Sequence, residues 1–322
     1  MKLKKIKSIK LIPKAPFNFD ATFHKPDHFP SGDNDWQAGF RWQTWRWEGK
    51  LLGLKFENKG SVKRPQIKTT IYPQNSLSNS FINSLINEIS YKYNLDLDLA
   101  KFYALFKKDE VLAPVIKRWQ GLRPGHQGSL YEYLVVGLVL QNATVKRSVN
   151  MLQVLFENYG QCLEYDEKKL WGFWRPGDLA GVKEEELRGL KIGYRAKYLK
   201  RLDDCFGKGK IDEFDLRRRD VEKQKEELLK IYGVGPATAG YILFDIFHRF
   251  NFIEHISPWE RKIYSKLFFD QDPEKPVSED KLLKYFDRYR PYQQLAVHYI
   301  WEDLWWQRKN KHIPWLEKLI RA

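Results

Sequence analysis

The hydrophobic period of this chain changes near Ser78, and no single motif constrains the fold as strongly. Before that point the pattern is extended. Phe40-Arg41-Trp42-Gln43-Thr44-Trp45-Arg46-Trp47 alternates large apolar with polar residues at several positions, Gly49-Lys50 makes a turn, and residues 51–56 resume the strand pattern. Residues 66–72 are rich in β-branched side chains and stop at Pro73, which cannot donate to a ladder. The aromatic residues of these segments are expected in the core of a sheet. After Ser78 the apolar spacing becomes helical. Helices are predicted over 79–93, over two segments between 131 and 159 separated near Gln141-Asn142, and over 183–206, 220–232, 236–250, 258–269 and 282–308. Pro124-Gly125-His126-Gln127-Gly128, Pro176-Gly177 and Asp272-Pro273 read as breaks. The expected architecture is α+β, mainly α: an N-terminal antiparallel β domain over 1–78, then a helical domain over 79–322.

Composition narrows the function classes. Hydrophobic residues make up 43% of the 322 and charged residues 30%, enough for a packed core. The apolar stretch from Tyr133 to Leu140, interrupted by Gly137, falls far short of the roughly 20 residues of a membrane span. The lysine-rich N-terminal segment has no apolar core, so no secretory signal is expected there. Cys162 and Cys205 are too few for a disulfide framework or a cysteine-rich metal site, and the seven histidines show no ligand spacing. No cofactor or metal is expected. The expected compartment is reducing and cytoplasmic, on the nucleoid when DNA-bound, and the expected state is a monomer. Lys and Arg outnumber Asp and Glu by 56 to 41, a net charge of +15, which biases the chain toward polyanions.

One segment says how a polyanion is held. Leu228-Leu229-Lys230-Ile231-Tyr232-Gly233-Val234-Gly235-Pro236-Ala237-Thr238-Ala239-Gly240 places Gly233 where a helix ends and Pro236 where the next begins. Two helices joined this tightly leave backbone N–H groups at a helix N-terminus, which suits a phosphate. Gly233, Val234, Gly235, Ala237 and Thr238 are expected to form that contact, with a plain turn between helices as the alternative. It reads no base edge, so it is neutral to sequence.

In this setting the segment, with the hairpin over 228–245, resembles the helix-hairpin-helix signature of DNA glycosylases. Residues 140–147 look like the Gln-Asn-x-Thr turn of that superfamily, and residues 187–198 are similar to a segment of the 8-oxoguanine glycosylases. Residues 290–301 resemble the closing helix of those enzymes and of the bacterial 3-methyladenine glycosylases, and Phe40-Arg41-Trp42 resembles their N-terminal β domain. The resemblance implies a protein that bends duplex DNA, extrudes one nucleotide and reads it in a pocket. It implies that Asn142, Arg147 and Arg195 hydrogen-bond the orphaned cytosine, an acceptor-rich base suited to an amide and two guanidinium forks, with phosphate binding or a solvated face as the alternative for the arginines. It also implies that Leu122 or His126, in the loop 121–128, fills the gap in the stack, with a plain connector as the alternative. Tyr292 and Trp301 then line the base pocket, with helix packing as the alternative, while Gln37 and Val297 stand where the 8-oxoguanine enzymes sense their lesion.

The departures concern the chemistry. Bifunctional members carry a lysine where this chain has Ala237, so Schiff-base chemistry at that position is disfavoured. The family's catalytic aspartate aligns with Ser257. Ser257-Pro258-Trp259-Glu260 has the sequence of a capping box, so serine keeps the helix cap and loses the carboxylate. Glu260 is a candidate substitute, though it is also expected to reach back to the Ser257 N–H. Glu254 remains open as a carboxylate, and with His255 as an acid/base pair. The sequence therefore leaves a monofunctional DNA N-glycosylase acting on an alkylated or oxidised base, or a non-catalytic protein on the same scaffold that binds damaged DNA or abasic sites. A hairpin module tethering another enzyme is a third reading. The expected partner in each case is double-stranded DNA, and no membrane.

Overall fold

The structure, a computed structural model, describes residues 1–5 and 7–320. The chain divides into two compact units. The first combines Met1–Leu99 with Gln120–Glu213; the second combines Ala100–Trp119 with the chain from Phe214 onward. The boundary expected after residue 78 falls inside the first unit, because the sheet is closed by elements far beyond it.

That sheet has five antiparallel strands: β1 (Lys7–Leu11), β2 (Asn34–Gln37), β3 (Phe40–Trp47), β4 (Lys50–Asn58) and β5 (Ile67–Tyr72), in the order β1-β5-β4-β3-β2. Glu48 and Gly49 both take positive φ at the β3–β4 turn, the conformation that matches the twist of a two-residue hairpin. β3 does not show alternating burial because both its faces are covered. On one face Trp45, Leu52, Leu54, Phe56 and Ile71 pack with Phe81, Leu85 and Ile89 of the helix Asn79–Lys92. On the other, Trp42, Leu51 and Tyr72 pack with Leu163, Tyr165 and Leu170 of a second hairpin, β6 (Gln161–Tyr165) and β7 (Lys168–Gly172). Gly53 seats the Tyr165 ring: a Cβ there would stand 2.6 Å from it. Asp166, in the β6–β7 turn, takes the Lys55 ammonium at 2.8 Å, the Trp42 indole N–H at 2.6 Å and the Tyr72 hydroxyl at 2.9 Å. It ties the small hairpin to the sheet.

The rest of the first unit is helical. Leu130–Leu140 starts at a complete Ser129–Glu132 capping box, and Val145–Tyr159 starts at the Thr144 cap. The single helix expected over 183–206 is interrupted. Residues 188–192 wind loosely, Lys191 has φ 61°, Gly193 has φ 64°, and Arg195–Gly207 continues beyond.

The second unit is all helical. Its early segment supplies Ala100–Phe106 and Leu112–Arg118. Phe102 meets Tyr299 at 5.3 Å, and the indole N–H of Trp119 donates to Asp303 at 2.9 Å. Both partners lie on the 18-residue helix Gln293–Asn310. The remaining long helices are Val221–Leu229, Pro236–Asp245, Pro258–Phe269 and Glu279–Phe286. The helix expected to reach residue 250 ends at Asp245, and His248, with φ 57°, turns the chain away. No helix among the described residues is long and apolar enough to cross a membrane.

Candidate functional site

The bend between Ile231 and Thr238 is on the surface. Tyr232, Gly233 and Pro236 are exposed, and Val234, Gly235, Ala237 and Thr238 are half-buried. Gly233 has φ 92°, which a side chain would strain. Gly235 is the N-cap of Pro236–Asp245 and has no side chain to satisfy the first N–H groups. They remain available to an external acceptor, at the positive end of a ten-residue helix.

Behind the bend, in the same unit, lies a cavity of about 220 Å³. Pro236 and Ala237 form its rim toward the hairpin, and Tyr241, Tyr264 and Phe252 give it aromatic walls. Its polar groups include Glu260, Glu254, His255 and Lys225. The capping box expected at residues 257–260 is present: Ser257 Oγ accepts the Glu260 N–H at 3.3 Å, and Glu260 Oε2 accepts the Ser257 N–H at 3.1 Å. Capping and facing the cavity are thus compatible in one carboxylate. Tyr241 is 37% exposed, yet its hydroxyl is enclosed near Glu260 and Ser257. Burial first, and then the Glu260 charge, push the hydroxyls of Tyr241 and Tyr264 well above the ordinary tyrosine range. Both are neutral donors at physiological pH. Glu254 and His255 do not pair with each other: Glu254 takes the Lys225 ammonium, and His255 Nδ1 lies 2.8 Å from Glu279 Oε1.

Of the pocket residues expected from sequence in this unit, only Val297 lines the cavity, where it is 3% exposed. Tyr292 packs edge-on against Phe102, and Trp301 against Trp259, Tyr264 and Trp305. Both residues are half-buried and stack on other rings of this unit, and neither is among the cavity-lining residues. Sequence reasoning missed Tyr241, Tyr264 and Phe252. Tyr241 had a readable signal, lying one helical turn beyond Ala237 on the same face.

In the first unit, Asn142 (φ 47°) sits in the exposed turn between Leu130–Leu140 and Val145–Tyr159, and its Nδ2 donates to the Tyr194 hydroxyl at 3.2 Å. Arg147 is exposed one turn along. Arg195 is 3% exposed, and its guanidinium donates to the carbonyls of Leu138 at 3.0 Å and of Gln141. It braces the turn that carries Asn142. Leu140, Val145 and Tyr194 are exposed apolar side chains around that turn. Leu122 has no exposed surface and cannot project as a wedge, because the loop 121–128 is pulled inward at Arg123. The Arg123 guanidinium, also fully buried, donates to the carbonyls of Pro16 and Asn94 at 3.0 and 3.1 Å and to those of Lys14 and Leu97. His126 is half-buried, accepts the Gly128 N–H at 3.0 Å and meets Tyr133 edge-on. Burial, with Lys92 nearby, lowers it to about 3, so it is neutral. Gln37 is exposed at the end of β2.

The chain is 25% identical over 222 residues to a DNA-3-methyladenine glycosylase of Bacillus subtilis, spanning 69% of this chain and 72% of that protein. Its structure matches a 3-methyladenine DNA glycosylase from Archaeoglobus fulgidus with a TM-score of 0.73 at 14% identity, covering 94% of this chain and 98% of the other. It matches a Clostridium acetobutylicum 8-oxoguanine glycosylase/lyase, in complex with duplex DNA containing cytosine opposite 8-oxoguanine, with a TM-score of 0.69 at 20% identity and coverage of 96% and 98%. No protein-family model matches the chain.

Proposed function

We propose, from a fold shared with the helix-hairpin-helix DNA glycosylases, that this chain is a DNA N-glycosylase of base excision repair. In this reading it extrudes a damaged base from duplex DNA and cleaves the glycosidic bond with water. The observation that carries the proposal is Glu260, a carboxylate facing an aromatic cavity directly behind an exposed, phosphate-suited bend.

The parts act as follows. Amides at Ala237 and Thr238 hold a phosphate of the lesion strand, giving affinity without sequence preference. Asn142 and Arg147 address the opposite strand and the orphaned base, with Arg195 bracing their turn. In the cavity the rings of Tyr241, Tyr264 and Phe252 enclose the extruded base. As the C1′–N bond breaks, its electron pair leaves with the base and positive charge develops on the sugar. Glu260 stabilises that charge and takes the proton of the water that adds to C1′. An N-alkylated purine is already cationic and leaves as a neutral base, so it asks least of a single carboxylate. Alkylated purines are therefore the preferred substrates. Ala237 supplies no amine, and the base-release step is hydrolytic.

A second reading has support in one observation. Glu260 Oε2 is engaged by the Ser257 N–H, and a carboxylate serving only as a cap would leave a non-catalytic binder of damaged or abasic DNA. Duplexes bearing N-methylated purines, 8-oxoguanine, uracil or hypoxanthine, incubated with the protein and then heated in alkali, separate the two. Strand scission at an alkylated purine is expected. It should fall about a hundredfold or more in Glu260→Gln, the loss of a general base, while glutamine keeps the capping box and the fold. Ser257→Ala should cost stability and leave most of the activity. Tight binding with no scission on any substrate overturns the enzyme reading.

A further inference from the structure

The first unit holds a cavity of its own, with a different chemistry. The β3–β4 turn, the chain after β5, the start of β6 and the segment after β7 converge on a space of about 110 Å³. Arg46, Lys50 and Arg175 line it, Gln74, Asn75 and Gln161 add neutral polar groups, and no carboxylate is among its described lining residues. The volume is well below the roughly 300 Å³ at which pockets for whole small molecules begin, so it suits one compact group. Arg46, half-buried on β3, donates from Nη2 to the Phe173 carbonyl at 2.8 Å, while its Nε is buried and has no hydrogen-bond partner among the described residues. Arg175 reaches the Gly49 carbonyl at 3.4 Å, and Lys50 lies 5.7 Å from the centre of the Phe81 ring. The neighbouring acids are engaged elsewhere: Glu48 accepts the Ser84 hydroxyl at 2.6 Å, and Asp178 accepts the backbone N–H of Arg175 at 2.7 Å. Burial first, and then the Arg175 charge, press the Arg46 guanidinium below the ordinary arginine range, with Glu132 and Asp178 opposing. Three cations thus share one small cavity without an anion.

We propose that this cavity binds a single phosphate group through Arg46, Lys50 and Arg175. A tetrahedral oxyanion accepts N–H groups from two guanidinium forks and an ammonium together, and it removes the repulsion among them. The cavity is too small for a base or a sugar, so the contact recognises phosphate and nothing attached to it. The group is either a phosphate of a nucleic-acid strand or free phosphate, and the cations meet the same oxygens in both. Arg175 and Lys50 are exposed, so a phosphate on a strand can reach them as readily as a free one. The site shares no residue with the bend at 231–238 and does not depend on the glycosylase reading.

The test has two arms, both on the full-length protein. In the first, inorganic phosphate is titrated calorimetrically in chloride buffer into Gly235→Asp, which silences the bend. Saturable binding is expected, and adding Arg175→Glu should weaken it more than about tenfold, the loss of a charged hydrogen-bonding partner. Lys50→Gln should weaken it too. Arg175 is exposed and its guanidinium makes one long contact with the protein, so these variants keep the fold where Arg46 variants endanger the Phe173 contact. In the second arm, the affinity for an undamaged duplex is read by fluorescence anisotropy over a salt series. If the group belongs to a strand, Arg175→Gln lowers the slope of log affinity against log salt by about 0.9, the release of one phosphate contact. Lys10→Gln, an exposed charge on β1, is the control, and a loss no larger than its own counts as none. A loss confined to the first arm assigns the cavity to free phosphate, and a loss in the second assigns it to a strand. A loss in neither overturns the proposal. A chain that binds no duplex sinks the glycosylase reading and leaves the phosphate titration to decide this one.

Discussion

Gly235 offers the cleanest residue-scale test of the DNA contact. A Cβ there would meet nothing within 4 Å, and φ is −100°, so the position accepts a side chain without strain. Gly235→Asp should therefore leave thermal stability nearly unchanged while placing a negative charge against the bound phosphate. Affinity for damaged and undamaged duplexes should fall about equally, by roughly tenfold or more, as expected for a backbone contact. Equal affinity in a binding titration would remove the bend from the interface. Gly233, with φ 92°, makes a contrasting control. Alanine there should cost about 1 to 2 kcal/mol of stability before any effect on binding is considered.

Among the elements, the β6–β7 hairpin depends on one side chain. Burial alone would raise the Asp166 carboxyl, but hydrogen bonds from Lys55, Trp42 and Tyr72 outweigh it and hold the group below the usual carboxylate range. A carboxyl depressed on folding contributes stability above its unfolded value, about 3.9, and loses it as pH falls through the folded value. Asp166→Asn tolerates the same positive φ and should cost about 1 to 2 kcal/mol at pH 7. The difference from wild type, measured by urea unfolding, should shrink as pH falls below about 4. A constant difference across that range would exclude the ionised carboxylate as its source. This hairpin was not legible in the sequence, since Asp166-Glu167 lacks the glycine that usually marks such a turn. The strand β3 and the helix Pro258–Phe269 were legible to the residue, because alternation and a capping box are local signals. The break at Lys191 and Gly193 and the cavity walls were not. They depend on contacts between segments distant in sequence, as does Arg195, whose guanidinium finds its carbonyls 54 and 57 residues earlier.

At the scale of the whole molecule, the +15 charge predicts strongly salt-dependent DNA binding. Each phosphate neutralised by a Lys or Arg adds about 0.9 to the slope of log affinity against log salt. Arg147→Ala should lower that slope by about one and reduce any preference for cytosine opposite the lesion. An unchanged slope and preference would reject its role. The division into two units also bears on how the chain is made. Asp303 receives Arg118 and Trp119 across 185 and 184 residues. The ribosome must therefore extrude the chain through Asp303 before the segment 100–119 finds its seat. Until then Phe102, Leu112 and Val115, buried in the finished fold, have no native cover. A message truncated before codon 293 would yield a product that keeps these residues uncovered, and such a product is a natural target for chaperones and proteases.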